Sequence, residues 1–239
     1  MLKLKTFISI FVLAIPFFTH SDELYDALIK KSNAGNAEAT YHLGMLYNNG
    51  IGVAKSPTKA FELFLKAANN DDPLGHYKVG CYYAGQFGEI QGLTLSKDKS
   101  FQHKLIAAEA GYNLAQNDIA SAHYQKGNIA KAIEWAEKAG NQGHVQSLSN
   151  LLSLYLAPDS EFQSNRDAYL VSLKLQKLIP KNKRLEEIKS ELESKLSETE
   201  VKQADNLAAT WQPQVSNLTK QAMQGINRSK SIAGITTGD

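Results

Sequence analysis

The sequence reads ATYHLGMLY at residues 39–47 and, thirty-six residues later, GHYKVGCYY at residues 75–83. In both stretches tyrosines, aliphatic residues and a glycine recur at the same positions, and the apolar residues fall on one stripe of a helix. Repetition at this period is typical of stacked helical hairpins, because one hairpin cannot bury its apolar face alone. The sequence therefore predicts an all-α solenoid of antiparallel helix pairs.

The second helix of each pair is repeated as well. KAFELFLKA at residues 59–67 returns as KAIEWAEKA at residues 131–139, with a looser copy at residues 99–108 between them. The spacing changes from forty to thirty-two residues. We attribute this change to loops, because the entropy of loop closure rises only logarithmically with length. The pattern predicts four units, at residues 36–72, 73–112, 113–143 and 144–180.

Two further regions follow the predicted repeats. Residues 181–212 are predicted to form C-terminal capping helices, one of which starts at a capping box made by Ser197 and Glu200. Residues 213–239 are rich in Gly, Ser, Thr, Asn and Gln and lack an apolar stripe, so we predict a flexible tail there. Within it, the glycosylation sequons that begin at residues 217 and 227 are attributed to chance.

Residues 1–21 have the layout of a secretory signal peptide. Lys3 and Lys5 precede an apolar run at residues 7–18, and a short polar stretch leads to two acidic residues. The apolar run is too short to span a bilayer as a permanent helix. We therefore predict cleavage after Ser21, export to the periplasm or the exterior, and no permanent membrane span after cleavage. The alternative is an uncleaved anchor.

The charge balance and the cysteine count exclude further classes. The chain carries 26 Lys and Arg against 24 Asp and Glu, and the excess lies in the predicted signal peptide. Nucleic-acid binding needs a concentrated cationic face, so we predict no nucleic-acid partner. Cys81 is the single cysteine of the sequence, which excludes an intramolecular disulfide. It is either a small packed residue or a thiol that reacts or pairs with another molecule.

The sequence shows no pattern of catalytic or metal-binding residues. The glycines at positions 50 and 52 are not followed by the Lys-Ser/Thr of a phosphate-binding loop. The six histidines form no His-x-x-x-His pair, and no nucleophile elbow is present. We therefore predict a protein that is not an enzyme, with no cofactor and no metal site.

The first unit resembles the Sel-one-like repeat (SLR) family, a relative of the tetratricopeptide repeat. The resemblance rests on residues 39–47, on the turn GIGV at residues 50–53, and on the Lys-Ala pairs at residues 59–60 and 66–67. It implies a right-handed α/α superhelix whose first helices line a concave groove. It also implies an adaptor that binds an unidentified protein or peptide partner in that groove.

When the first helices are aligned with the groove positions of the related tetratricopeptide repeat, the resemblance implies nine partner-binding residues. Independently, Tyr41 and Met45 share a helical face that is offset from the apolar stripe. The alternative is that Tyr41 and Tyr77 are ordinary packing between helices. The nine residues are Glu38, Tyr41, Met45, Asn48, Tyr77, Cys81, Asn117, Ser121 and Tyr124.

Four glycines are assigned structural roles. A glycine inside a helix costs about 1 kcal/mol relative to alanine, so Gly44 and Gly80 need a reason, and we predict a neighbouring helix that approaches too closely for a side chain. Gly50 and Gly52 are assigned to the turn between the helices of unit one.

Three functions remain open at this point. The first is an exported non-enzymatic adaptor with the groove described above. The second is a cell-wall-associated enzyme or ligand-binding protein of the cysteine-rich SLR kind, although those relatives carry a disulfide in each repeat. The third is a secreted effector that acts on a host protein.

Overall fold

The computed structural model describes residues 20–88 and 90–235, which form thirteen α-helices and no strand. This confirms the predicted all-α fold. The signal peptide predicted at residues 1–21 lies outside the described residues, except for its last two. The helices are α1 (His20–Asn33), α2 (Ala37–Asn49), α3 (Pro57–Ala68), α4 (Pro73–Tyr83), α5 (Lys97–Glu109), α6 (Asn113–Gln125), α7 (Ile129–Asn141), α8 (Val145–Leu156), α9 (Asn165–Leu178), α10 (Lys183–Glu193), α11 (Glu198–Thr210), α12 (Asn217–Gln224) and α13 (Ile226–Ala233).

Helices α2 to α9 form four antiparallel pairs that stack in chain order. Within a pair, α2 packs on α3, α4 on α5, α6 on α7 and α8 on α9, and the second helix of each pair also packs on the first helix of the next. At one end α1 packs on α2, and at the other α10 and α11 pack on α9. The first helices of the pairs form one side of the stack, which we call the first-helix face.

Local signals set the helix ends. Pro57 and Pro73 occupy first-turn positions, where a missing N–H is harmless. Asp72 Oδ1 caps α4 by accepting a hydrogen bond from Gly75 N at 2.6 Å. The predicted capping box of Ser197 and Glu200 is present at the start of α11. These features are local in sequence, which is why they could be read from it.

Close approach between helices explains the glycines inside α2 and α4. A Cβ atom on Gly44 would lie 2.8 Å from Cε1 of Phe64, a fully buried side chain of α3. A Cβ atom on Gly80 would lie 2.7 Å from Cγ of Lys104 and 3.0 Å from the carbonyl oxygen of Ser100. Neither distance leaves room for a methyl group.

The turn after α2 needs glycine for a different reason. Gly50 has φ 72° and ψ 37° and ends the helix, with its N–H donating to the Leu46 carbonyl at 2.8 Å. The left-handed conformation is open to glycine at little cost. Gly52 lies two residues further along the same turn.

The flexible tail predicted at residues 213–239 is wrong over residues 217–233, which form α12 and α13. These helices fold back along the stack, and α13 packs on α1 and α2. We call residues 212–235 the C-terminal segment. Its fully buried side chains include the hydroxyl residues Thr219 and Ser229. A search for an apolar stripe misses helices that dock through hydroxyl groups.

Candidate protein-binding surface

The nine predicted groove residues lie on α2, α4 and α6, and the structure places them in four settings. The C-terminal segment covers Glu38, Tyr41 and Met45. Contacts between helices engage Asn48, Tyr77 and Asn117, and Cys81 is buried. An open cleft is lined by Ser121 and Tyr124.

The covered part is the face of α2. Arg228 of α13 donates from Nε to Glu38 Oε1 at 2.6 Å and from Nη2 to Glu38 Oε2 at 2.9 Å. Both side chains are one-quarter exposed. Ser229 Oγ and His42 Nδ1 are also hydrogen-bonded, at 2.9 Å. The predicted groove residue Glu38 is therefore occupied by a residue of the same chain.

The ion pair perturbs the titration of both partners. Burial by itself raises the pKa of Glu38, but His42 and the Arg228 guanidinium outweigh it and lower the pKa to about 2. The hydrogen bonds to Glu38 raise the pKa of Arg228 above its usual value. Bidentate pairing of a planar guanidinium with a carboxylate is among the stronger polar contacts in proteins.

Beside this ion pair, the C-terminal segment leaves a small cavity of about 110 Å³ over α2. Tyr41 and Met45 line one side of it, and Ala222 and Ile226 line the other. Tyr41 is 6% exposed. Its predicted place in an open groove is wrong, because the C-terminal segment and the ring of Phe64, at 5.8 Å between centroids, enclose it.

Three of the nine residues make contacts between helices. Asn48 Oδ1 accepts a hydrogen bond from the Tyr82 hydroxyl at 2.9 Å, and Asn117 Oδ1 accepts one from the Ser147 hydroxyl at 2.9 Å. The Tyr77 ring packs edge-on against Tyr112, with centroids 4.8 Å apart. Three predicted binding residues thus link neighbouring helices of the stack.

Cys81 is buried, with 2% of its surface exposed. Burial raises the pKa of its thiol, an effect only partly offset by Lys104 and Lys78. A buried thiol of raised pKa is a weak nucleophile. Of the two interpretations of Cys81, the structure supports a packed residue and places it away from any binding surface.

The open part of the first-helix face is a cleft between α6 and α8, with α7 as its floor. Its volume is about 390 Å³. We call it the α6–α8 cleft. Two of the nine predicted residues, Ser121 and Tyr124, line it, and Tyr124 is 56% exposed. The other lining residues are Ala120, Gln125, Ala132, Ala136, Asn150, Ser153, Leu154 and Ala157.

The lining of the α6–α8 cleft determines what it can do. Alanines form the floor, while the rim presents the hydroxyls of Ser121, Ser153 and Tyr124 and the amides of Gln125 and Asn150. Such groups donate and accept hydrogen bonds and offer apolar contact. The lining contains no carboxylate, histidine or lysine.

The residues that α8 contributes were missed by the sequence analysis. Ser153 follows Ser121 by thirty-two residues, which is the spacing between Ala120 and Leu152 at the glycine position of units three and four. Extending the groove register by one more unit would have found it. Arg228 and Ser229 carry no periodic signal, although they lie within one of the two sequons.

Among residues 20–88 and 90–235, no three His, Cys, Asp or Glu side chains are grouped to hold a metal ion. Nor does any helix in those ranges have the length and apolarity needed to cross a membrane. His76 and His103 approach at 2.9 Å between their Nδ1 atoms, and burial lowers the pKa of both rings. Two neutral imidazoles account for this contact.

Comparison with known proteins agrees with this architecture. Residues 37–72, 73–112 and 113–144 match the Sel1 repeat family, which confirms the SLR resemblance. Over 57 residues the chain is 47% identical to the ERAD-associated E3 ubiquitin-protein ligase component HRD3B of Arabidopsis thaliana, covering 23% of this chain and 8% of that protein. Over 127 residues it is 27% identical to chitin synthase regulatory factor 3 of Schizosaccharomyces pombe, covering 51% of this chain and 14% of that protein.

Solved structures with the same fold cover more of the chain. A Sel1 repeat protein from Oxalobacter formigenes superposes with a TM-score of 0.59 at 21% identity, covering 79% of this chain and 78% of the other. A protective antigen of uropathogenic Escherichia coli with an SLR fold has a TM-score of 0.59 at 20% identity, covering 90% of this chain and 44% of the other. At these identities the likeness concerns the fold alone.

Proposed function

Because this chain carries three Sel1 repeats, we propose that it is an exported, non-enzymatic adaptor that binds a protein or peptide partner on its first-helix face. Sel1 repeats typically mediate contacts between proteins, and stacked repeats offer an extended surface for this purpose. The two curated relatives are named as a component of a ligase and as a regulatory factor.

The α6–α8 cleft is the observation on which this proposal depends. It is open, it is lined by hydroxyl and amide groups around an apolar floor, and it presents Tyr124 to solvent. Tyrosine is enriched where proteins bind one another, because it offers both a large apolar surface and a hydrogen-bonding group. The partner is therefore expected to contact Ser121, Tyr124 and Ser153.

Export is proposed from the residues at the N-terminus. Lys3, Lys5 and the apolar run at residues 7–18 favour a signal peptide. Cell fractionation and N-terminal sequencing test this proposal. A protein that begins at Asp22 in the periplasm or the medium would support it, and a full-length protein retained in the cytoplasm would overturn it.

Site-specific crosslinking tests the binding surface. A photo-crosslinking amino acid at Tyr124 should capture a defined partner, and Ser153→Trp, which fills the α6–α8 cleft, should abolish the capture. The matched control carries the crosslinker at Glu62, an exposed position on α3. Equal capture from both positions, or capture that survives Ser153→Trp, would refute the assignment of the cleft.

A further inference from the structure

Helix α13 contacts α1 and α2 in the way that a bound ligand would. Arg228 pairs with Glu38 through two hydrogen bonds, and Ser229 reaches His42. Ile232 and Ala233 pack on the apolar cluster that α1 and α2 form around Leu28. The contacts therefore combine charge, hydrogen bonding and apolar burial on one small surface.

The two helices of the C-terminal segment are held in different ways. Helix α12 is anchored by Thr219, whose hydroxyl contacts Gln142 Oε1 at 2.8 Å and accepts from Asn113 N at 3.1 Å. Ser216 adds a hydrogen bond to the Gly111 carbonyl at 2.8 Å. Helix α13 has eight residues, and Ile226 at its start remains 38% exposed. The hydrogen bonds that anchor α12 go to the turns before α6 and α8, whereas those of α13 go to α2, so the two helices are held by separate contacts.

A glycine separates these two parts. Gly225 has φ 52° and ψ −121°, a conformation that other residues adopt only with strain. No neighbouring atom lies within 4 Å of where its Cβ atom would be. Gly225 therefore sets the angle between the two helices and separates the contacts of α12 from those of α13.

We propose that α13 is a resident ligand of a second binding site, formed by α1 and α2, and that a partner helix bearing an arginine followed by a small hydroxyl residue displaces it there. This rests on the proposed function, because an adaptor has a use for a second site on the same face. The site is the surface of Glu38, His42, Tyr41 and Met45, four side chains that α13 or the adjoining cavity touches.

The chemistry of the site selects the arginine. The Glu38 carboxylate accepts two parallel N–H bonds, which the planar guanidinium supplies and a lysine ammonium does not. The next position must be small, because Ser229 is 2% exposed and lies against His42. A partner helix is therefore expected to carry an arginine and a small hydroxyl residue in the order of Arg228 and Ser229.

The cavity beside α13 is space that a partner helix could fill, which would increase its affinity for the site relative to α13. About 110 Å³ between Met45 and Ile226 is left unfilled. The apolar side chains that line this cavity lack the van der Waals contacts that they would make in a filled site. A partner helix with a bulkier apolar residue at the position of Ile226 would fill it, and would therefore bind more tightly than the segment it replaces.

The test uses the full chain and a synthetic peptide of residues 225–235 carrying a fluorophore. Gly225→Ala strains the joint but keeps Glu38 and His42 of the site and Arg228 and Ser229 of the ligand, whereas Arg228→Ala removes the ion pair. Both should speed hydrogen exchange of α13 amides about 10-fold to 100-fold, the effect expected for losing a charge-assisted bidentate contact or a comparable strain. Exchange in α12 should be unchanged.

Peptide binding is then compared between variants. The peptide should bind Gly225→Ala and Arg228→Ala at least 10-fold more tightly than the unmodified chain, whose site is occupied. It should lose binding when its own arginine is alanine, or when Glu38→Gln is added to the chain. The matched control is Lys230→Ala, which removes a neighbouring charge and should behave like the unmodified chain.

Three results would overturn the proposal. One is peptide binding that is equal in the unmodified chain and in Gly225→Ala. Another is binding that Glu38→Gln leaves intact. The third is exchange of α13 between two copies into a concentration-dependent dimer, since the occupant would then be a second copy. All are measured without any partner, so they are independent of the crosslinking result at the α6–α8 cleft.

Discussion

Replacing Gly44 with valine tests whether close contact between α2 and α3 holds unit one together. The Cβ atom would lie 2.8 Å from Phe64 Cε1 and 3.3 Å from Leu63 Cβ. Carbon atoms normally approach to about 3.5–4.0 Å, so the ring or the helix must move by about 0.7 Å. Phe64 cannot move freely, because it is fully buried between Tyr41 and Tyr82.

The expected magnitude follows from two opposing effects. Overpacking a core costs about 1–3 kcal/mol, and replacing a helical glycine with alanine regains about 1 kcal/mol. Gly44→Ala should therefore lower the free energy of unfolding by about 1 kcal/mol. Valine adds two further carbon atoms and regains less helix propensity, so Gly44→Val should cost about 3 kcal/mol.

Urea denaturation followed by circular dichroism at the helical band measures both values. A loss of about 3 kcal/mol should lower the midpoint by about 1–1.5 M urea. The control is Ala130→Val, which adds the same two carbons at an exposed position of α7 and should cost about 0.5 kcal/mol. If Gly44→Val unfolds at the midpoint of the unmodified chain, α2 and α3 are not in the contact described above.

Other predictions follow from the C-terminal segment and from Cys81. Thr219→Val should destabilise by about 1–3 kcal/mol in thermal unfolding because it removes the buried hydroxyl that donates to Gln142 Oε1 and accepts from Asn113 N. Thr219→Ser keeps the hydroxyl and should be nearly neutral. The folded pKa of Glu38 lies below its unfolded value, at about 2 against 4.5, so its contribution is present above pH 4.5 and is lost as the pH falls toward 2. The protection of α13 amides relative to their intrinsic exchange rate at each pH should therefore fall over this window in the unmodified chain but not in Glu38→Gln. Cys81 should resist a thiol reagent in the native protein and react at the rate of unfolding, because it is buried and its pKa is raised; rapid native labelling would contradict that placement.

The parts of the fold that sequence predicts are those governed by neighbours in the chain. The apolar spacing around Gly44, the Ser-Pro start at Pro57 and the capping box at Ser197 are each contained within a few residues. A helical period also states which side of a helix faces inward. The period does not indicate which other segment of the chain covers the opposite side. For this reason the sequence predicts Tyr41 in an open groove, whereas the C-terminal segment encloses it.

The rest of the candidate site depends on contacts that are distant in sequence. Arg228 and Glu38 are separated by 190 residues, and nothing at either position indicates the other. Thr219 and Ser229 are polar, so they weaken the apolar pattern by which helices are recognised, although each is buried by the hydrogen bonds it makes. Ser153 could have been predicted from the sequence, because it occupies in unit four the position that Ser121 occupies in unit three.

The path of the C-terminal segment has a consequence for how the chain is made. Solenoids usually gain stability repeat by repeat, and each repeat needs only its neighbours. Here residues 216–229 contact the turn before α6, the turn before α8 and the middle of α2, so one late-synthesised stretch contacts units one, two and three together. The first three repeats therefore emerge from the ribosome and fold without these contacts. We expect the coupling that residues 216–229 add between these repeats to form only after synthesis has passed Ser229.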